Sequence, residues 1–309
     1  MTDTFTEALD AAESAQATYG NQLGFTGERT PFAAESLPDT SIAVDVNQDL
    51  LKEVASHIIN RAGHVSVIDK RGAGKTHFRE LVYDALRDGP RSEEFAIARI
   101  KEVESITTRR FYTRLLDELQ RYDYLDVPDS YPHATDEVRS VVEDVADQLE
   151  TQDRCCIIQV DQLEDAARRK STFEQLLAGL QSVGDLGESE PVFLLFLFGT
   201  PTAGDRIDEL RETLSSRLVA KHRSLERFEF AETEELIGRW LAWARDEEFT
   251  EGYPADPFSA GAIRKVVDRS DGTPRDVRQQ CYHGFRGGAE QYVDTGEIRI
   301  TEETFENYV

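Results

Sequence analysis

Lysine is scarce in this chain: 7 of its 35 basic residues are lysine and 28 are arginine. Against them stand 60 acidic residues, which leaves a net charge of −25 over 309 residues. Such a chain has no basic excess with which to grip a polyanion over a wide surface, so any contact with DNA must be local. The acid is spread along the whole length. Spread in this way, it reads as a solvated surface adapted to a very salty, halophilic cytoplasm; an acidic mimic of nucleic acid is the competing reading. In high salt, repulsion between exposed charges is screened within a few ångströms, so the net charge does not by itself exclude duplex DNA as a partner. The densest basic clusters, Arg109-Arg110, Arg168-Arg169-Lys170 and Lys221-His222-Arg223, read as solvated helix faces.

Cysteine is nearly absent. Cys155, Cys156 and Cys281 are odd in number and form no C-x-x-C pair, which argues against a disulfide framework and a zinc site and points to burial as small apolar groups. Long apolar runs are missing too. The longest, VFLLFLF at 192–198, falls far short of the ~20 residues that cross a bilayer and suits a buried strand. The opening MTDTFTEALDAAES lacks the basic-then-apolar order of a signal peptide, so a cytoplasmic protein without a membrane partner is expected. No repeat and no low-complexity tract interrupts the sequence.

What remains is enough for a folded chain: 39% of the residues are hydrophobic. Residues 1–44 hold a short helix over 5–19 and then a stretch rich in Gly, Pro and Ser, an arm lying over a core or a flexible leader. From residue 45 the pattern becomes regular. Apolar runs at 64–68, 95–100, 155–160, 192–198 and 227–230 read as strands, and helical spacing fills most of the intervals. Strands alternating with helices predict an α/β fold, a three-layer parallel five-stranded sheet over 45–230. Residues 231–309 contain helical patterns only, so a small separate bundle is expected there.

Four segments carry chemistry. The first is DKRGAGKTHF at 69–78, placed between a strand and a helix as a phosphate loop requires. Gly72 and Gly74 allow the backbone N–H groups to approach phosphates, and the helix N-terminus adds partial positive charge. Lys75 would reach the β- and γ-phosphates, Thr76 would ligate Mg²⁺, and Arg71, Ala73 and His77 would line the cradle. Asp69 stands where the G-x-x-x-x-G-K-[ST] pattern has glycine. The second segment is CCIIQVDQLED at 155–165. Asp161, at a strand end, is placed to hold Mg²⁺ through water. Gln162 follows, able to position a water but not to take its proton. Glu164 is either its substitute or an ordinary acidic helix start. The third is Thr200 in FLFGTP, a γ-phosphate sensor if its strand lies between the other two, or an ordinary turn. The fourth is DGTPRDVRQ at 271–279, where Pro274 suits a first helical turn and Arg275 is presented at a helix start.

In this order and at these separations the four segments resemble the AAA+ superfamily of P-loop ATPases: its Walker A, Walker B, sensor 1 and sensor 2 motifs. LSSRL at 214–218 is similar to the stretch that bears the arginine finger, which makes Arg217 the candidate. The resemblance is nearest to the archaeal origin-recognition initiator ATPases, with TniB-like transposition ATPases nearly as close, and covers about residues 45–305. It implies ATP and Mg²⁺ as cofactors, a P-loop core with a helical lid, assembly into homo- or hetero-oligomers through the ATP site, and a switch that recruits or loads partners on DNA with slow hydrolysis. The initiators' winged-helix domain has no counterpart expected in this sequence. Gln162 favours the alternative, a nucleotide-binding module without hydrolysis.

The charge balance makes one prediction. If the acid excess is a salt adaptation, melting temperature rises steeply across a KCl series, because self-repulsion is relieved by screening. A melting temperature indifferent to salt would leave nucleic-acid mimicry as the better account.

Overall fold

A computed structural model describes residues 2–27, 29–34, 37–187 and 190–309. Its elements follow in the order α1 (Thr2–Gln22), α2 (Gln48–Ile59), β1 (His64–Ile68), α3 (Lys75–Asp88), β2 (Phe95–Ile100), α4 (Thr108–Leu119), α5 (Thr135–Thr151), β3 (Cys155–Val160), α6 (Leu163–Ala167), α7 (Lys170–Gly184), β4 (Phe193–Gly199), α8 (Pro201–Leu210), α9 (Glu212–Ser216), β5 (Leu218–Arg223), α10 (Phe230–Arg245), α11 (Ala260–Ser270), α12 (Pro274–Thr295) and α13 (Glu302–Asn307). They form two compact units, residues 47–225 and residues 1–46 together with 226–309.

The first unit is built on one sheet of order β2-β3-β4-β1-β5, parallel throughout. Side chains alternate between two apolar layers. Cys156, Ile158, Val160, Phe193, Leu195 and Leu197 pack with α4, α5 and α7 on one face. Cys155, Ile157, Leu194, Phe196 and Phe198 pack with α2 and α3 on the other. Burial of both faces explains why these strands read as unbroken apolar runs, as expected of a parallel sheet. The three cysteines are free and buried.

The fifth strand is not where alternation at 227–230 pointed. It is β5, and its L-V-A-K-H-R sequence mixes buried Leu218 and Ala220 with exposed Val219 and Lys221, the mark of an edge strand paired on one side only. Residues 227–229 precede α10, and the Phe228 N–H donates to the Gly272 carbonyl (2.8 Å) in the helical unit. The basic cluster at 221–223 is therefore strand, not helix, and is held internally: Lys221 by Asp208 (2.8 Å) and Arg223 by Glu53 (2.5 Å).

The second unit has its own core, and the N-terminal residues help to make it. Tyr19, Phe32, Ile42 and Val44 are buried with Trp240, Phe258, Phe285 and Phe305. The arm is fastened by Arg29 to the Trp243 carbonyl (2.7 Å), by Arg239 to the Ser41 carbonyl (2.6 Å) and by Arg278 to the Phe32 carbonyl. Gly284 and Gly288 of α12 let Phe305 and Ile300 pack against the helix backbone, where a Cβ would lie 2.6 and 2.7 Å from them.

His64 opens β1 inside the first unit, wholly buried, with its Nδ1 accepting the Leu195 N–H (3.3 Å). Burial, with some help from the Arg217 charge, pulls its imidazole from 6.5 to about 4. The ring is thus neutral in the folded chain while the unfolded chain takes up the proton. Stability falls as pH drops below 6.5 and the loss levels off near 4, for a total of about 3 kcal/mol. Urea denaturation from about pH 7 to pH 4.5 is expected to show a shallower loss in His64→Gln than in the wild type. Equal slopes would remove His64 from the account of acid sensitivity.

Candidate functional site

The sheet order brings three strand ends together. β4 lies between β3 and β1, and in a parallel sheet all carboxyl ends share one edge. The loop after β1, Asp161 after β3 and Thr200 after β4 therefore line the same edge, with Thr200 in the middle. Thr200 begins α8 with extended backbone, one residue ahead of Pro201.

The loop from Asp69 to Gly74 depends on its glycines. Gly72 (φ 82°) and Gly74 (φ 98°) take left-handed conformations, and Gly74 caps α3. Left-handed residues of this kind allow a loop to turn N–H groups inward, a backbone form suited to anions. The Lys75 side chain folds back over the loop, donating to the Asp69 carbonyl (2.6 Å) and the Lys70 carbonyl (2.8 Å). Burial lowers its pKa from the ordinary lysine value; Glu164, Asp69 and Asp161 oppose that shift and Arg71 adds to it. Ala73 is buried beneath the loop, while Thr76 is exposed on the first turn of α3 and His77 half-buried beside it.

Asp69, the departure from the glycine pattern, is a buried fastening. Its Oδ1 accepts the Lys70 N–H (2.7 Å), its Oδ2 accepts the Leu225 N–H (2.9 Å), and its own N–H donates to the Gly199 carbonyl (3.0 Å). Glycine at this position would lose both carboxylate bonds. The residue thus joins the phosphate-type loop to β4 and to the last residue of this unit.

Two positions after β3, Gln162 and Glu164, differ sharply. Gln162 is exposed in a left-handed conformation (φ 57°) as it caps α6. Glu164 turns inward. Its side chain is 16% exposed, Oε1 lies 3.8 Å from Arg71 Nε, and Oε2 is buried with no hydrogen-bond partner among the described residues. Glu164 is also the strongest carboxylate influence on Lys75. Of the two, the geometry brings Glu164 to the loop.

Asp161 is engaged on both oxygens. Oδ1 accepts the Gln162 N–H (2.8 Å) and Oδ2 pairs with Arg79 of α3. Arg79 also pairs with Glu80, and Glu80 with Arg99 of β2. Burial pushes the Glu80 carboxyl up, but the two guanidiniums outweigh it and hold it below its ordinary range. The pattern of motifs left Arg79, Glu80 and Arg99 unread, since the first two lie on α3 and the third on β2, outside every motif. The only signal was an arginine one helical turn after Lys75. Among the described residues no group of three or more His, Cys, Asp or Glu side chains is arranged to hold a metal ion. With both Asp161 oxygens occupied and a guanidinium against one of them, the arrangement does not fit a divalent cation on Asp161.

Arg217 stands at the opposite edge of the sheet, immediately before β5. Its carbonyl accepts the His64 N–H (3.1 Å) and its guanidinium pairs with Asp185. It is remote from its own chain's loop. Arg275 is exposed on the first turn of α12 in the helical unit. One further set of side chains invites a catalytic reading: Ser66 Oγ to His222 Nδ1 (3.0 Å), then His222 Nε2 to Asp208 (3.2 Å). Ser66 is wholly buried in mid-strand and Oγ also accepts the His222 N–H (2.7 Å), so this chain fastens β5 to β1 and presents no nucleophile.

No family model matches the chain. Among curated proteins, an uncharacterized HTH-type transcriptional regulator of Methanocaldococcus jannaschii is 28% identical over 174 residues, 55% of this chain and 39% of that protein. The chain thus spans about two fifths of the length of the curated relative it matches, 39%. The ORC2 protein of Aeropyrum pernix in its ADPNP-ADP complexes superposes with a TM-score of 0.54 at 13% identity, over 92% of this chain and 71% of that one. Its ADP form gives 0.56 at 11% identity, over 90% and 70%. Cdc6p of Pyrobaculum aerophilum gives 0.53 at 13% identity, over 92% and 72%. At such identities the likeness is one of fold: an α/β core with a five-stranded parallel sheet and flanking helices, as in these archaeal ORC/Cdc6 AAA+ proteins.

Proposed function

We propose that the chain is an ATP-binding AAA+ switch whose nucleotide state governs which partners it holds, with slow hydrolysis as its reset. The observation that carries the reading is Lys75: a buried lysine folded over a glycine-formed loop, donating to two main-chain carbonyls at the N-terminus of α3. Phosphate oxygens are stronger acceptors than those carbonyls, and the loop N–H groups and helix dipole add to their attraction. In this reading residues 71–77 hold the phosphates, and Thr200 meets the γ-phosphate from the middle of the strand edge. Glu164, inward and with an unpartnered oxygen, is the carboxylate for the attacking water; Gln162 is at most an aid to positioning. Arg217, on the far edge of the sheet, acts on the nucleotide of a neighbouring subunit in a homo- or hetero-oligomer, once released from Asp185. Arg275 reports nucleotide to the helical unit.

Duplex DNA is the partner class we favour. The name of the M. jannaschii relative, an HTH-type transcriptional regulator, is the support for it, and that protein extends well beyond the matched part. A second reading, a nucleotide-binding module without hydrolysis, is favoured by the Arg79–Asp161 pair, which keeps the strand-end carboxylate occupied.

Isothermal titration of ATP in high salt tests the seat. Lys75→Ala removes charge-assisted contacts worth about 1.5–3 kcal/mol each, so affinity is expected to fall at least tenfold. An unchanged affinity would overturn the phosphate-loop reading. Phosphate release from the wild type and two variants tests the water carboxylate. Glu164→Gln is expected to slow release by about 10²-fold or more, the low end of general-base help, while Gln162→Glu changes it by less. If Gln162→Glu is the variant that accelerates release and Glu164→Gln has no effect, the carboxylate assignment is reversed. No measurable release from any of the three supports the non-hydrolysing module.

A further inference from the structure

The charged cluster beside Asp161 has a composition that bears on how nucleotide is held. Its members alternate in sign: Arg99, Glu80, Arg79, Asp161. Two guanidiniums and two carboxylates balance, and the side chains at its inner end are the most hidden, Arg79 at 9% and Asp161 at 12% exposure. The four come from three elements, Arg79 and Glu80 both lying on α3. Asp161 follows the last residue of β3; Arg99 sits on β2 in register with Gln159 of β3. The Gln159 amide donates to the Arg79 carbonyl (3.3 Å), and Arg99 lies over the Tyr83 ring of α3 (4.5 Å). The cluster is thus built across two strands and a helix, not draped on a surface.

Arg79 is also four residues after Lys75 on α3, which puts both cations on one side of the helix, one turn apart. Asp161 is close enough to Lys75 to raise its proton affinity. A divalent cation bound directly by Asp161 would have to displace Arg79 from a hidden carboxylate, and one bound through water would have to part the same pair. Either would also stand beside that guanidinium, with Glu80, already shared between Arg79 and Arg99, as the cluster's other carboxylate. Each of these changes opposes the cation, and a buried ion pair broken on one side is strongly unfavourable.

We propose that this chain binds nucleotide without a divalent cation, the guanidinium of Arg79, held by Asp161, serving as the fixed positive charge beside the phosphates. The inference rests on the nucleotide reading given above and goes beyond it in naming the counter-charge. An arginine in this place supplies permanent charge while both of its terminal nitrogens stay on Asp161 and Glu80. The state recognised is therefore the metal-free nucleotide.

The test is isothermal titration of the full chain with ADP in high KCl, once with EDTA and once with excess MgCl₂. The expected wild-type result is the same affinity in both arms within about threefold, and in Arg79→Gln an affinity that becomes about tenfold tighter with MgCl₂ than with EDTA. Arg79→Lys is expected to keep the wild-type indifference, since it keeps the charge. Wild-type binding that requires MgCl₂ overturns this inference and leaves the nucleotide reading standing. Binding in neither arm overturns both. If Arg79→Gln folds and stays indifferent to MgCl₂, the charge is not supplied by Arg79 and the assignment fails. Should Arg79→Gln not fold, as judged by its circular dichroism, the two wild-type arms and Arg79→Lys still decide.

Discussion

Each of the five parallel strands carries main-chain groups that its neighbours must satisfy, and β1 to β4 carry buried side chains on both faces that helices must cover. That double demand organises residues 47–225. It requires a crossover after every strand, places α4, α5 and α7 on one face and α2 and α3 on the other, and aligns all carboxyl ends on one edge. The order β2-β3-β4-β1-β5 then sets the chemistry of that edge. Residues separated by more than 120 positions, Asp69 and Gly199, share a hydrogen bond because β1 and β4 are neighbours.

At that edge, charge is kept inside the protein by pairing, and each pairing has a direction. Asp69 faces main-chain donors from the loop and from Leu225, so it behaves as part of the backbone framework. Lys75 faces carbonyls, which hold it weakly compared with phosphate. Asp161 faces a guanidinium in a balanced cluster, which holds it strongly. The site is therefore loose at the lysine and tight at the aspartate. A ligand that competes for the lysine meets little resistance, whereas one that competes for the aspartate must break a hidden ion pair.

The helical unit solves a different problem. Its helices α10 to α13 are too few to enclose large aromatic side chains, and the N-terminal residues complete the enclosure. Phe32 meets Trp240 and Phe258, and Tyr19 meets Phe285 and Tyr292, at centroid distances of 5.5–5.9 Å. Arginines then hold the arm through main-chain carbonyls, a use for which their several donors suit them better than lysine. This accounts for part of the arginine content of a chain so poor in lysine. Many of the others form ion pairs with the abundant acid, several of them on the surface and individually worth little.

How much of this was legible in the sequence follows from the range of the forces involved. Four strands, most helices and the phosphate-type loop are local: an apolar run long enough to be buried on both faces, helical spacing, or glycines before Lys-Thr can be read within about ten residues. Edge strand β5 escaped because pairing on one side leaves half its residues polar, and 227–230 imitated a strand while its N–H groups were engaged elsewhere. The inward turn of Glu164 and the outward turn of Gln162 depend on a single left-handed residue, which no periodicity announces. Arg79, Glu80 and Arg99 carry no motif, and only the adjacency of β2 and β3 makes them one cluster with Asp161. By itself, the sequence determined the fold class and the place of the loop, since both arise from short-range burial and backbone freedom. Which carboxylate faces the loop and which cation faces Asp161 were decided by the tertiary structure, because hidden charges choose partners by proximity across the sheet and not by distance along the chain.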